Sequence, residues 1–168
     1  MLAGDPGQLD EATRYLEGTV RPHVEAQHGN RGLTCLVIEL WNAKDREGWM
    51  AGLDLHRLEI QAPGGPRLTG REAAETIWNT YNEAFPDNRL EIIAIHADDR
   101  GGVHEGRFAG THTATLRGPA GEVAATGRTV DALFSGIYEF EEGKITSFHL
   151  YFDQAELFTQ LGIAAGRL

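Results

Sequence analysis

The stretch Gly143-Lys-Ile-Thr-Ser-Phe-His-Leu-Tyr-Phe-Asp-Gln-Ala-Glu-Leu-Phe-Thr-Gln-Leu-Gly162 decides how this chain folds. Its first half alternates, giving a β-strand two faces: Phe148, Leu150 and Phe152 on one, His149, Tyr151 and Asp153 on the other. The first set is the natural core-facing one. The second half has apolar residues at helical spacing and stops at Gly162, so the strand passes directly into a short amphipathic helix. Asp153 stands at the junction and reads two ways. At the mouth of an apolar cavity a carboxylate loses hydration, its pKa rises, and it exchanges protons near neutral pH. Yet Asp153-Gln-Ala-Glu156 also has the spacing of a capping box, in which the aspartate closes the first turn of the helix.

Working outward, Glu141-Glu-Gly-Lys144 is a tight turn joining this strand to a long one over residues 122–140, bent near Gly127. Strands over 104–116 and 90–97 precede it, and a shorter one over 55–61 is stopped by Ala62-Pro-Gly-Gly-Pro66. Helices come first: one over 33–43, a short one capped by Asp45, and the clearest over 69–85. In the last, Thr69 and Glu72 have capping-box spacing and Ala73, Ile77, Tyr81 and Ala84 share a face. Helices followed by antiparallel strands spell α+β rather than a parallel array. The expected architecture is a strongly curved antiparallel sheet with the helices in its concave face, leaving a cone-shaped pocket. Residues 1–32, with a short helix over 8–17, read as an N-terminal helical arm, and 33–168 as the domain.

A chain of 168 residues is long enough to bury roughly two thirds of its unfolded surface in one core. No apolar run reaches membrane-spanning length and the N-terminus lacks a signal pattern, so the expectation is a cytoplasmic protein with no membrane partner. Net charge is −10 and the fifteen basic residues are scattered, which argues against a nucleic-acid partner. Cys35 lies in an apolar run and reads as a buried inert thiol. His56, His96 and His104 fall on different elements without ligand spacing, so no metal site is expected. Neither a phosphate loop nor a nucleophile elbow is present.

Several short stretches, in shared order, carry a resemblance: Leu40-Trp-Asn-Ala-Lys-Asp45, Gly70-Arg-Glu-Ala-Ala74, Ala84-Phe-Pro-Asp87, Gly110-Thr-His-Thr113, Ala125-Thr-Gly-Arg128, Glu141-Glu-Gly-Lys-Ile145 and Tyr151-Phe-Asp…Gln160-Leu-Gly162. Together they resemble the SnoaL-like polyketide cyclase branch of the NTF2-like superfamily over residues 33–162. The resemblance implies an NTF2-like cone, no metal or organic cofactor, a hydrophobic small-molecule substrate, and a homodimer formed through the sheet. It also implies that Asp153, matching the aspartate at the end of the last strand, is the acid/base for an intramolecular aldol ring closure. The fold hosts other chemistry, so isomerisation, epoxide opening and catalytically silent binding stay open.

The remaining candidates read both as site and as scaffold. His112, mid-strand, either donates to a substrate carbonyl or partners Asp153, or is a sheet histidine satisfied by a polar neighbour. His149 and Tyr151 share the face of Asp153, which makes a proton relay conceivable; the same two fit an outer-face subunit contact, with a bulge near Phe152 turning Asp153 into the pocket. Trp41, Trp78, Tyr81, Phe85 and Phe108 are candidates to line an aromatic pocket, although aromatics at helical spacing also serve as core. Arg128 reads either as steering an anionic substrate group or as paired with surface acids.

Overall fold

The computed structural model describes residues 29–118 and 121–163. The helix expected over 8–17, with most of the N-terminal arm, lies outside the described residues. Helix α1 (Asn30–Asn42) starts three residues before the expected position and buries Leu33, Leu36, Val37, Leu40 and Trp41 at helical spacing. Helix α2 (Arg46–Ala51) is capped by Asp45, whose carboxylate accepts the Gly48 N–H at 2.9 Å.

Strands β1 (Glu59–Gln61) and β2 (Leu68–Thr69) form a short ladder before helix α3 (Gly70–Ala84). The strand expected over 55–61 is shorter because Asp54 folds residues 54–57 into a turn, its Oδ1 accepting the His56 and Arg57 N–H groups at 3.1 Å. Thr69 makes no side-chain cap to α3, contrary to the capping-box reading, because it is held in β2 opposite Glu59.

The rest is sheet: β3 (Arg89–Ala97), β4 (Gly101–Thr111), the small hairpin β5 (Leu116–Gly118) and β6 (Gly121–Val123), β7 (Thr129–Glu141) and β8 (Lys144–Phe152), followed by helix α4 (Gln154–Leu161). The large curved sheet runs β2-β1-β8-β7-β4-β3, antiparallel throughout except where β1 lies parallel to β8. The expected strands over 104–116 and 122–140 are each broken, since residues 112–115 and 124–128 leave the ladder to carry the β5–β6 hairpin. The β7–β8 turn puts both Glu142 (φ 51°) and Gly143 (φ 74°) in the left-handed region, as a two-residue hairpin requires.

Register settles the two faces of β8. Phe152, Leu150 and Phe148 stand opposite Phe134, Gly136 and Tyr138 on the concave side. His149 stands opposite Ile137 and Tyr151 opposite Ser135, on the convex side. The register shift in this ladder is at Glu139/Phe140, so no bulge near Phe152 redirects Asp153. The concave face is closed by α1, α2 and α3 over a triad of tryptophans, with Trp41 5.4 Å from Trp49 and 5.0 Å from Trp78 between ring centroids. A second core packs α4 onto Phe85, Val130 and Leu116.

Candidate functional site

Two cavities open between the sheet and the helices. The inner one, about 90 Å³, is almost wholly apolar and is walled by α1, α2, α3 and the concave face, including Val37, Trp41, Trp49, Tyr81, Phe108, Phe134, Tyr138, Phe148 and Leu150. The outer one, about 550 Å³, lies between α3, the 62–66 loop, the β5–β6 hairpin and α4. Ile77, Tyr81, Phe152 and Leu157 line both and form the boundary between them. The outer volume falls in the range that holds a drug-sized molecule, roughly 300–1,000 Å³. The inner one has room for a single small ring or substituent.

The outer cavity carries the polar groups: Thr76, Asn79, Thr80 and Glu83 from α3, Thr115 and Arg117 from the hairpin, and Gln154 from α4. Gln154 donates to the Pro63 carbonyl at 3.0 Å and thereby ties the start of α4 to the loop on the opposite wall. Arg117 pairs with Glu122 across the hairpin at 3.1 Å and with Glu83 of α3 at 3.8 Å.

Asp153 ends β8 between Phe152 and Gln154, both of which line the outer cavity. Its own side chain is exposed and lines neither cavity. Oδ1 accepts the N–H groups of Ala155 (2.8 Å) and Glu156 (3.1 Å), which caps α4, so the half-buried cavity-wall position expected of a base is not the one it occupies. Both cap bonds fall on Oδ1, and Oδ2 accepts none among the described residues.

His112 is fully buried beneath the Phe85 ring, 5.1 Å away between centroids. Its Nδ1 accepts the Thr126 N–H at 3.3 Å and lies 3.1 Å from the Thr126 hydroxyl, which assigns the ring proton to Nε2. Nε2 has no partner. Burial lowers the His112 pKa, against a smaller opposing effect from the Ala114 backbone. His112 lines neither cavity, and His149 and Tyr151 lie on the convex face, away from both. A relay of Asp153, His149 and Tyr151 therefore has no opening into the concave pocket.

Trp41, Tyr81 and Phe108 line the inner cavity; Trp78 does not, being packed behind it in the tryptophan triad. Burial pushes the Tyr81 phenol up to about 12, so it is a neutral donor at the boundary of the two spaces. Arg128 lines neither cavity and forms no ion pair with an acid among the described residues; its guanidinium lies against Gly162, at the C-terminus of α4. Cys35 is half-buried, and burial raises its pKa.

One inward-facing histidine, which lines neither cavity, was not reached from the sequence as a core residue. His104 is 1% exposed, stacks on Tyr138 at 5.4 Å and meets Phe134 edge-on at 5.0 Å. Burial takes its pKa from 6.5 to about 4, and neither ring nitrogen has a partner among the described residues. The alternation of 129–141 was the available signal, since it brings Phe134, Gly136 and Tyr138 to one face. Among the described residues no group of three or more His, Cys, Asp or Glu is gathered as metal ligands would be, and no helix is long and apolar enough to cross a membrane.

Comparison with known proteins accords with this architecture. A family profile described as SnoaL-like polyketide cyclase matches residues 33–161. A candidate polyketide cyclase from Xanthomonas campestris superposes with a TM-score of 0.68 at 24% identity, covering 77% of this chain and 94% of that one. AclR, a candidate hydroxylase from Streptomyces galilaeus, gives 0.66 at 20% identity over 77% and 92%. An LEH-like epoxide hydrolase from M. tuberculosis gives 0.59 at 19% identity over 78% and 87%. No curated protein matches the chain.

Proposed function

From the premise that the chain belongs to the SnoaL-like polyketide cyclase family, we propose that it is a cofactor-independent cyclase closing a ring in a polyketide-like carbonyl compound. The observation that carries this reading is the pairing of a 550 Å³ outer cavity with an apolar chamber behind it, on one concave face. A flexible polycarbonyl chain gains most from confinement: holding the carbanion carbon against the carbonyl it attacks turns a loose encounter into a unimolecular step.

In this reading Asp153 is the base. Its Oδ2 carries no cap bond, and the residues on either side of it line the outer cavity. A proton between two carbonyls is acidic enough for a carboxylate to remove. The carbon left behind then forms the new bond to a carbonyl carbon, and the resulting alkoxide takes a proton, so the product is an isomer of the substrate. In the same reading Tyr81, which lines both cavities and whose phenol burial keeps neutral, stabilises the developing oxyanion.

One observation favours a second reading. The engagement of Asp153 as a helix cap suits a module that binds small molecules without turning them over. Ring closure of a linear poly-β-ketone ester, followed by NMR, separates the two. The cyclase reading expects an isomeric product formed well above the buffer rate. Tight binding at the buffer rate would leave the non-catalytic reading.

The convex face supports a homodimer as part of the proposal. Val103, Ile137 and His149 form one cross-strand row, and Ile93, Leu133 and Tyr151 are exposed around it. A second copy laid on this sheet face would cover that apolar stripe.

A further inference from the structure

The two cavities on the concave face differ in what they can hold. Val37 and Ile38 of α1 and Ala132, Phe134 and Leu150 of the sheet put hydrocarbon on the walls of the inner one. The Trp41 indole N–H, a donor on that wall, is taken by Asn88 Oδ1 at 2.7 Å. The Tyr138 hydroxyl is set against the β7 backbone, 2.9 Å from where a Cβ of Gly136 would stand. Thr76, Asn79 and Thr80, on adjacent turns of α3, line only the outer cavity. The residues common to both spaces are Ile77, Tyr81, Phe152 and Leu157, so a ligand reaching from one into the other passes between them.

This division sorts the parts of a ligand. A carbonyl or ether oxygen carried into the inner chamber leaves its water behind without a replacement donor, which weakens binding by about tenfold or more. A methylene moved to the same place gains, by about fourfold for each one buried. The oxygenated part of a chain therefore belongs in the outer cavity and a bare hydrocarbon part in the inner one. Volume sets how much hydrocarbon. The inner 90 Å³ takes roughly three carbons, each filling about the share of a water in the liquid, roughly 30 Å³.

We propose that the inner chamber is a hydrocarbon subsite, which takes a short alkyl group free of oxygen at one end of the substrate while the carbonyl-bearing chain stays in the outer cavity. This rests on the reading of the concave pocket as the ligand site, and it narrows the substrate class to polycarbonyl chains that end in a short alkyl group. The end wall of the chamber then acts as a stop. With the alkyl group seated against it, the distance along the chain fixes which methylene between two carbonyls is presented in the outer cavity. Val37, Ala132 and Leu150 do not touch the reacting atoms in this arrangement. They select and orient.

The test is isothermal titration calorimetry with acetylacetone and its homologues in which one terminal methyl is replaced by propyl, pentyl or heptyl. The wild-type protein should bind the propyl compound about fifteenfold more tightly than acetylacetone, the effect of two added methylenes. The pentyl and heptyl compounds should stay within about threefold of propyl, because the chamber is then full. A methoxymethyl group in place of propyl should weaken binding by about tenfold, since it buries an ether oxygen without a donor. Ala132→Leu, which fills the chamber with an isobutyl group, should bring the propyl compound to within about twofold of acetylacetone. Leu150→Ala, which removes an isopropyl group from the wall, should let the pentyl compound bind about tenfold more tightly than propyl, and it decides the matter where the bulkier variant fails to fold. Affinity that keeps climbing to heptyl in the wild type, equal binding of the methoxymethyl and propyl compounds, or a length limit that the substitutions do not move would overturn the subsite while leaving the outer pocket intact. Failure of every compound to bind the wild-type protein would overturn the pocket reading and the subsite with it.

Discussion

The indole N–H of Trp41 donates to Oδ1 of Asn88 across 2.7 Å, in the closed interior between α1 and the turn after α3. Asn88 is 3% exposed, and its amide also donates to the Phe85 carbonyl at 2.7 Å. Because Trp41 lines the inner chamber, this bond fixes the angle of a chamber wall. Asn88→Ala leaves the indole donor buried and unpaired and should destabilise the protein by about 3 kcal/mol. Urea denaturation measures it. In a cycle with Trp41→Phe, the two changes should couple by about 1 kcal/mol or more, whereas simple additivity would mean the bond is not what holds the pair together.

Gly162 ends α4 at φ 74°, and the position of its missing Cβ lies 2.5 Å from Cζ of Arg128. A side chain here would be strained by the backbone and would displace the guanidinium from the negative end of the helix dipole. Gly162→Ala should cost about 1–2 kcal/mol. Since the arginine head can swing aside, the double variant with Arg128→Ala should cost less than the two single changes added. Denaturation midpoints decide, and strict additivity would contradict the contact.

His104 gives folding a pH dependence whose sign follows from burial. Its pKa is about 4 in the folded chain against 6.5 when exposed. Below pH 6.5 the unfolded state takes up a proton the folded state refuses, so stability falls with falling pH until about pH 4; at pH 7 both states are neutral and the residue contributes nothing. Between pH 7 and pH 5 this amounts to about 2 kcal/mol. His112, also lowered by burial, acts in the same direction, so the test is a difference. His104→Phe should lose about 2 kcal/mol less than the wild type over that interval in urea titrations. Equal losses would show that His104 is not held neutral.

The convex sheet face offers a direct check on assembly. Ile137 is 45% exposed at the centre of its apolar row, so Ile137→Lys places a charge in the middle of the proposed contact without disturbing the core. Light scattering should show the wild-type protein as a dimer and the variant as a monomer with an unchanged melting temperature. A monomeric wild type at micromolar concentration would refute the contact.

Much of the fold was legible because its signals are local. The alternation of 143–152, the helical spacing of Ala73, Ile77 and Tyr81, and the Glu142-Gly143 turn each specify their element from adjacent residues, and the α+β cone follows from their order. The parallel β1–β8 pair was not legible, because it joins residues almost ninety positions apart through backbone bonds alone. Thr69 misled for a related reason: its side chain has cap chemistry, but its backbone is committed to a ladder with Glu59. At the site, Asp153 presented both of its readings in the sequence, and only the hydrogen bonds to Ala155 and Glu156 show that its Oδ1 is spent on the helix. His149 and Tyr151 were separated from the pocket by register, which a single strand does not reveal. The alternation of 129–141 brings Gly136 and Tyr138 to the concave face, but the place of His104 against Tyr138 depends on the register of β4 with β7, which neither strand shows alone.

The central claim, that Asp153 drives ring closure from the rim of the outer cavity, is tested most directly by the turnover of Asp153→Asn on a linear poly-β-ketone ester. Asparagine caps a helix about as well as aspartate, so fold and ligand binding should be preserved while the general base is lost. The account predicts a rate reduced by about 10²–10⁴-fold with Tm and Kd unchanged. A rate near that of the wild type would contradict it, leaving Asp153 as the cap of α4 alone.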